Sequence, residues 1–259
     1  MVQRKLNWKK DKPDERDLKF CLEAPVQLPP KVDLRPFMPP VVDQGQTGSC
    51  TGNAIAGALG FLELKALKTP EVEPEEFSKT YEPISRLFIY YNERYMEGTT
   101  DEDAGAQIRD GILSISKYGM CRESTWPYDE SKALIRPPEP AYAEAAVHKA
   151  VKYFRINDGD LYHMKSCLND GYPFVFGFSV YASFMSDFTA KTGRQSMPRP
   201  GEGVEGGHAI CCVGYDDDLE CFIIRNSWGT SWGDKGHFYM PYNYAASKEL
   251  SSDFWTIRK

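Results

Sequence analysis

Hydrophobic and polar positions alternate with a helical period in the first half of the chain. After Ser49, the apolar residues Ile55, Leu59 and Leu62 recur at helical spacing. Ser49 is a suitable N-cap residue, so the pattern predicts a helix over 49–68. Small and apolar residues also fill the opposite side, which indicates a helix that is buried nearly all round.

The second half of the chain changes to a strand pattern. Two more helices are predicted over 85–97 and 105–119, with Gly119 placed to end the second. Runs rich in β-branched and aromatic residues then predict strands at "YPFVFGFSV", "HAICCVGY", "CFIIRNSW" and "HFYMPY". We therefore predict an α+β protein with a helical half over about 31–135 and a β-rich half over about 136–259.

The first 30 residues differ from both halves, because they are polar, charged and punctuated by proline. Such a segment gains little by forming its own core, so it predicts an extended N-terminal arm (1–30). The arm carries a compact apolar group of Phe20, Cys21 and Leu22, which would suit a binding pocket. Further along, "KTPEVEPEEFSK" at 68–79 predicts an acidic surface connection.

Composition and charge exclude several classes of function. The net charge of the 259 residues is −6 and there is no long basic run, so we expect no nucleic-acid partner. No apolar run approaches the ~18 residues that a membrane span needs, so we expect no membrane association. The N-terminus lacks the apolar stretch of a secretory signal. We expect a monomer in the cytoplasm or another reducing compartment, with export by a non-classical route or packaging into a virion left open.

The cysteines also favour a reducing compartment. They are seven, an odd number, and no pair has the spacing CxxC. Because the cysteines are few for this length, a disulfide scaffold is a poor explanation for them. Their positions are Cys21, Cys50, Cys121, Cys167, Cys211, Cys212 and Cys221.

Cys50 differs from the other cysteines because it stands at the predicted start of the long helix. A helix N-terminus stabilises negative charge, which favours a reactive thiolate. Taken alone, a buried cysteine is more often an inert packing residue. The interpretation as a nucleophile therefore needs a base nearby.

A predicted hairpin supplies that base. If the turn of "HAICCVGYDDDLECFIIRN" centres on Asp217, His208 and Asn226 are cross-strand partners. A carboxamide beside an imidazole orients the ring and leaves its other nitrogen free. Together with Cys50, these residues make up a nucleophile, a base and an orienting group.

These motifs resemble the papain family of cysteine peptidases. "DQGQTGSC" resembles the family's Gln-Gly-x-Cys-Gly-Ser-Cys signature, and "GGHAICCVGY" resembles its histidine strand. "RNSWGTSWGDKGHFYMP" resembles its long Asn-Ser-Trp-Gly block. The resemblance implies a papain-like fold, with a helical half, an antiparallel β-barrel-like half and an active-site cleft between them.

The resemblance also implies roles for single residues. Cys50 would be the nucleophile, His208 the general base and acid, and Asn226 the residue that orients His208. Gln44 would donate a side-chain hydrogen bond to the oxyanion, beside the backbone N–H of Cys50. The implied substrate-binding residues are Gly105, Gly207 and Trp228, and Trp228 would also shield the bond between His208 and Asn226.

The implied activity is that of a cysteine endopeptidase, which hydrolyses peptide bonds through a thioester on Cys50. Its substrates would be proteins or peptides, and we expect no metal and no organic cofactor. Two alternatives remain open from the sequence. One is acyl transfer or deamidation by the same triad, and the other is a catalytically retired binding module on a papain fold.

The chain departs from the common family pattern at three points. Thr47 stands where a disulfide cysteine is usual, and Thr51 stands where a tryptophan usually follows the nucleophile. The arm is much shorter than the large helical pro-segment of secreted members, so the pattern is closest to xylellain-type bacterial or viral members. We expect the residues before about Leu28 to lie over the cleft and restrain Cys50, as an inhibitor within the same chain.

Overall fold

The computed structural model describes residues 4–22, 24–67, 81–149 and 152–258. The predicted acidic connection at 68–79 lies outside the described residues. The helices are α1 Cys50–Leu67, α2 Arg86–Glu97, α3 Ile108–Tyr118, α4 Glu139–Ala145, α5 Leu161–Asn169, α6 Asp187–Thr192 and α7 Tyr242–Ala246. The strands are β1 Lys31–Asp33, β2 Lys152–Ile156, β3 Phe174–Tyr181, β4 Val204–Asp216, β5 Cys221–Arg225, β6 His237–Pro241 and β7 Ser251–Arg258.

The three long helices of the first half are confirmed, and local sequence explains their ends. At the start of α2, the Ser85 hydroxyl accepts a hydrogen bond from the backbone N–H of Phe88 at 3.2 Å. Gly119 ends α3 with φ 85°, a conformation that glycine adopts without a steric penalty. Most of α1 is buried, as its apolar and small residues predict, because it packs against both β4 and α2.

The second half is an open antiparallel sheet and not a closed barrel. Its strands follow the order β2-β7-β3-β4-β5-β6, with β1 paired to β4. Strand β7 was not predicted, because it begins with the polar residues Ser251, Ser252 and Asp253, all of which are buried. The helix that begins with Cys50 packs against β4, the strand that carries His208.

The predicted register of the β4–β5 hairpin is wrong. The structure pairs Cys211 with Arg225, which places the turn beyond Asp217. His208 is therefore not directly opposite Asn226, and its cross-strand partner is Phe178 of β3.

Local hydrogen bonds explain where the turn forms. The Asp216 carboxylate accepts the backbone N–H groups of Asp218 at 3.1 Å and Leu219 at 3.3 Å, which closes the turn after Asp216. The pairing also shifts by one residue between Cys212 and Gly214, as a β-bulge does. Neither feature follows from the hydrophobic pattern, so the simple symmetric hairpin was the wrong assumption.

The bulge still leaves the two polar residues on one face. Continuing the pairing of Cys211 with Arg225 by one residue sets Ile210 opposite Asn226. His208, two residues before Ile210, is then a diagonal neighbour of Asn226, which is within reach of a long side chain. The predicted pair is therefore correct, although the register from which we inferred it is not.

Candidate active site

Cys50 is the first residue of α1, and its side chain is fully buried in the structure. Burial raises the pKa of the Cys50 thiol to about 12, although a hydrogen bond from the backbone of Ala209 opposes the shift. Ala209 directly follows His208 in β4. The contact therefore joins the start of the helix to the strand that carries the histidine.

His208 is held in one orientation by two neighbours. Its Nε2 lies 2.8 Å from Oδ1 of Asn226, and because this oxygen can only accept, Nε2 is the nitrogen that carries the proton. The Trp228 ring stacks on the imidazole with centroids 4.9 Å apart. Nδ1 is buried and has no hydrogen-bond partner among the described residues. A neutral ring thus keeps a free lone pair on Nδ1, as predicted from the motif.

Burial also controls the charge of the histidine. It lowers the pKa of His208 to about 4, and the hydrogen bond that the ring donates to Asn226 only partly offsets this effect. At neutral pH, the buried Cys50 and His208 are therefore both uncharged in this structure.

Gln44 is fully buried, and its amide orientation is fixed. Oε1 accepts a hydrogen bond from the Ser227 hydroxyl at 2.6 Å, while Nε2 donates to the carbonyl of Thr47 at 2.9 Å. An amide nitrogen has two hydrogens, so one remains for a further acceptor. Gln44 and Asn226 are thus connected through the same short segment, because Ser227 also donates its N–H to Asn226 Oδ1 at 2.8 Å.

The N-terminal arm runs through the gap between the two halves. Gly207 donates its N–H to the carbonyl of Leu6 at 3.1 Å and accepts the N–H of Trp8 at 3.0 Å. On the other side, Lys9 donates its N–H to the carbonyl of Ala106 at 3.1 Å. The arm is therefore bonded through its backbone to β4 and to the residues just before α3.

Two predicted substrate-binding glycines make this approach possible. A Cβ atom at Gly105 would collide with the carbonyl of Asn7, and Gly105 has φ 68°. A Cβ atom at Gly207 would lie 2.7 Å from the carbonyl oxygen of Trp8. Both positions therefore need glycine for a peptide backbone to lie as close as the arm does.

The comparisons with known proteins agree with this geometry. The family model for papain family cysteine proteases matches residues 97–255. A peptidase C1-like protein of Acanthamoeba polyphaga mimivirus is 44% identical over 283 residues, covering 100% of this chain and 88% of that protein. Cysteine proteinase 1 of Entamoeba histolytica is 30% identical, over 83% of this chain and 64% of its own length.

The chain belongs to the papain family of cysteine proteases. Among solved structures, xylellain, a cysteine protease from Xylella fastidiosa, superimposes with a TM-score of 0.88 at 40% identity. That match covers 100% of this chain and 98% of xylellain. The papain-like fold and the assignment as a cysteine peptidase are thereby confirmed.

The two unusual threonines of this peptidase both have hydrogen-bond partners. The Thr47 hydroxyl donates to Glu130 at 3.2 Å, at the position where a disulfide cysteine was expected from the resemblance. The Thr51 hydroxyl, in the first turn of α1, donates to the carboxyl group of Glu93, which is fully buried. Burial raises the pKa of Glu93 well above its usual value.

The apolar arm residue in the cleft is Trp8, and the prediction of the group around Phe20 is wrong. Phe20 does not lie in the cleft, because its backbone N–H bonds to Arg155 in β2 at 2.8 Å and its ring packs beside His163. Trp8 lies there instead, 8% exposed, with its ring covering Gly177 and Gly207. Trp8 was missed because it stands alone among charged residues, and the glycines that receive it carry no hydrophobic signal.

The described ranges contain neither a candidate metal site nor a candidate membrane span. No group of three or more His, Cys, Asp or Glu side chains there could hold a metal ion. None of the helices in those ranges is long and apolar enough to cross a membrane.

Proposed function

We propose that the peptidase acts through Cys50 as nucleophile, with His208 as general base and acid and Asn226 as the orienting residue. The observation that carries this proposal is the 2.8 Å bond between His208 Nε2 and Asn226, which leaves Nδ1 without a partner among the described residues. Cys50 packs against Ala209, the residue next to this histidine. The nucleophile therefore lies against the residue that follows the base in β4.

The reaction proceeds in two steps at one carbonyl carbon. His208 takes the proton of the Cys50 thiol, and the resulting thiolate attacks the scissile carbonyl while the Gln44 amide and the backbone N–H of Cys50 stabilise the oxyanion. His208 donates a proton to the leaving amine as the C–N bond breaks, which leaves a thioester. His208 then takes a proton from water, whose oxygen attacks the thioester and releases the acid and the Cys50 thiolate.

Substitution of Cys50 by alanine tests the nucleophile. We expect Cys50→Ala to abolish turnover of unfolded protein substrates and to leave the fold intact, because the side chain is small and its role is chemical. Labelling of the wild type by an epoxide inhibitor should be confined to Cys50. Activity of the variant within tenfold of the wild type would mean that another residue is the nucleophile, and mass spectrometry of the products would separate hydrolysis from acyl transfer or deamidation.

The arm is the second part of the proposal, in which it acts as an inhibitor held in the cleft. Its support is the backbone bonding of Leu6, Trp8 and Lys9 to both sides of the gap. A substrate needs the same gap and the same two glycines, Gly105 and Gly207. Arm and substrate therefore exclude one another.

Trp8→Ala tests the arm without shortening the chain. The substitution removes the ring that covers Gly177 and Gly207, so it should raise kcat/KM and speed epoxide labelling of Cys50. Leu18→Ala, in the same arm but 61% exposed, is the matched control and should behave as the wild type. If Trp8→Ala is labelled no faster than the Leu18→Ala control, the arm is not a lid.

We also infer that the protein works in a reducing compartment. All seven cysteines are unpaired in the structure, including the exposed Cys21 of the arm. A protein that stays in an oxidising compartment commonly uses such residues in disulfides. Survival of activity without added reductant in an oxidising buffer, with all seven thiols still titratable, would argue against this inference.

A further inference from the structure

The cleft contains a pocket that binds a guanidinium group. The Arg4 side chain is only 10% exposed and forms two bonds to the Asp43 carboxylate, at 2.5 and 3.3 Å. It also donates to the carbonyls of Gly45 at 2.9 Å and Trp228 at 3.4 Å. The guanidinium carbon lies 5.7 Å from the Trp228 ring. One side chain of the arm is thus surrounded by a carboxylate, two carbonyls and an aromatic ring.

The walls of this pocket are fixed by bonds that do not involve the arm. Asp43 and Trp228 form a backbone bridge, and the Gln44 N–H donates to the Ser227 carbonyl at 2.8 Å. The Asp43 carboxylate accepts the N–H of Gly45 at 2.8 Å, which sets its direction. The acceptors therefore keep their arrangement when Arg4 leaves, as a preorganised site does.

The pocket lies beside the reacting groups. Gln44, between Asp43 and Gly45, is the proposed oxyanion donor, and Trp228 stacks on His208. In the proposed mechanism His208 gives its proton to the leaving amine. The pocket, which shares Trp228 with that histidine, is therefore on the leaving-group side of the scissile bond.

We propose that this pocket selects substrates with an arginine on the leaving-group side of the scissile bond. The inference rests on the proposed function of the arm and of Cys50. Arginine suits the site because its planar fork donates to several acceptors at once, whereas a lysine ammonium is a compact point charge. The arm then blocks the cleft by offering the side chain that the pocket binds in a substrate.

Paired peptides test the proposal on the full-length enzyme. Each pair is identical except for arginine or citrulline, its neutral analogue, at one position, and the pairs cover the positions on both sides of the scissile bond. We expect kcat/KM for arginine to exceed that for citrulline by roughly tenfold on the leaving-group side, since a hydrogen bond to a charged group has about this effect. Asp43→Asn should reduce the ratio to about one, and Asp170→Asn, which removes a surface carboxylate paired with Arg258, should leave it unchanged.

The outcomes separate this proposal from the one on which it rests. Equal cleavage of arginine and citrulline peptides, a preference confined to the acyl side, or a preference that survives in Asp43→Asn overturns the pocket and leaves the peptidase in place. If no peptide is cut, the proposed function fails, and epoxide labelling still tests the pocket. Arg4→Lys and Asp43→Asn should both be labelled faster at Cys50 than Asp170→Asn, and equal rates would show that the pocket does not hold a guanidinium.

Discussion

Replacing Asp11 with asparagine should make the docking of the arm in the cleft independent of pH. Asp11 belongs to the arm and is 8% exposed. Its carboxylate accepts bonds from Trp255 Nε1 at 2.7 Å and from the Arg109 N–H at 3.1 Å, and its own N–H donates to Asp253 at 2.8 Å. Its charged neighbours are Asp253 from β7, Arg109 from α3 and Arg155 from β2. Arg155 also pairs with Asp17 of the arm and with Asp158 in the turn after β2.

The pKa of Asp11 is higher in the docked arm than in a solvated one. Burial, and then the charge of Asp253, raise the pKa of Asp11 from 3.8 to about 7. Because the docked value is the higher one, protonation stabilises docking fully below about pH 3.8, and this stabilisation is lost as the pH rises through about 7. A pKa difference of one unit changes the docking equilibrium tenfold, so docking should weaken roughly 10- to 100-fold between about pH 5 and about pH 8.

Epoxide labelling of Cys50 measures this effect if the wild type and Asp11→Asn are compared at each pH. Their ratio cancels the titration of Cys50 and His208, which both proteins share. We expect the wild-type rate, divided by the rate of the variant, to rise by the stated factor from about pH 5 to about pH 8. Asp14→Asn removes a carboxylate of the same arm that is 23% exposed and pairs with Arg16, and this variant should follow the wild type.

The test does not depend on how tightly the arm of Asp11→Asn docks. Whether that arm stays bound or stays released, the wild-type labelling rate divided by the variant rate shows the same trend with pH. A ratio that stays flat or falls over this range, in a variant that still unfolds at the wild-type temperature, would refute the reasoning.

Two further predictions concern the catalytic residues. Gln44→Ala should lower kcat by ~10²–10³ if its amide stabilises the oxyanion, and a change confined to KM would remove Gln44 from that role. Asn226→Ala should move the alkaline limb of the pH–rate profile to lower pH, because burial already lowers the pKa of His208 and the variant loses the hydrogen bond that raises it. An unmoved alkaline limb would show that Asn226 does not control the ionisation of His208.

The position of Cys50 could be predicted because its signals are local. A serine of the type that caps helices, a helical period and a polar turn lie within a few residues of it, and the structure begins α1 at Cys50. The pairing of His208 with Asn226 was predicted from a hairpin whose register is wrong. The prediction still holds because the bulge after Cys212 keeps both side chains on one face of the sheet.

Other features depend on residues far apart in the chain. The start of β7 is polar, and Asp253 is buried because Arg155 and the arm residue Asp11 supply its partners. Without those partners, a Ser-Ser-Asp sequence predicts a loop. The guanidinium pocket was missed for the same reason, since Asp43, Trp228 and Arg4 meet only in the folded chain.

If the arm is the inhibitor that we propose, it would oppose catalysis by charge as well as by occupancy. Burial in the arm-docked structure raises the pKa of Cys50 and lowers that of His208, so the pair holds its proton as thiol and neutral imidazole. Catalysis begins from the thiolate, and a helix N-terminus favours that form only where burial does not outweigh it. On this proposal, departure of the arm would return water to both groups and lower the penalty against their charged forms. Release of the arm would then open the gap and, in the same step, allow the nucleophile to ionise.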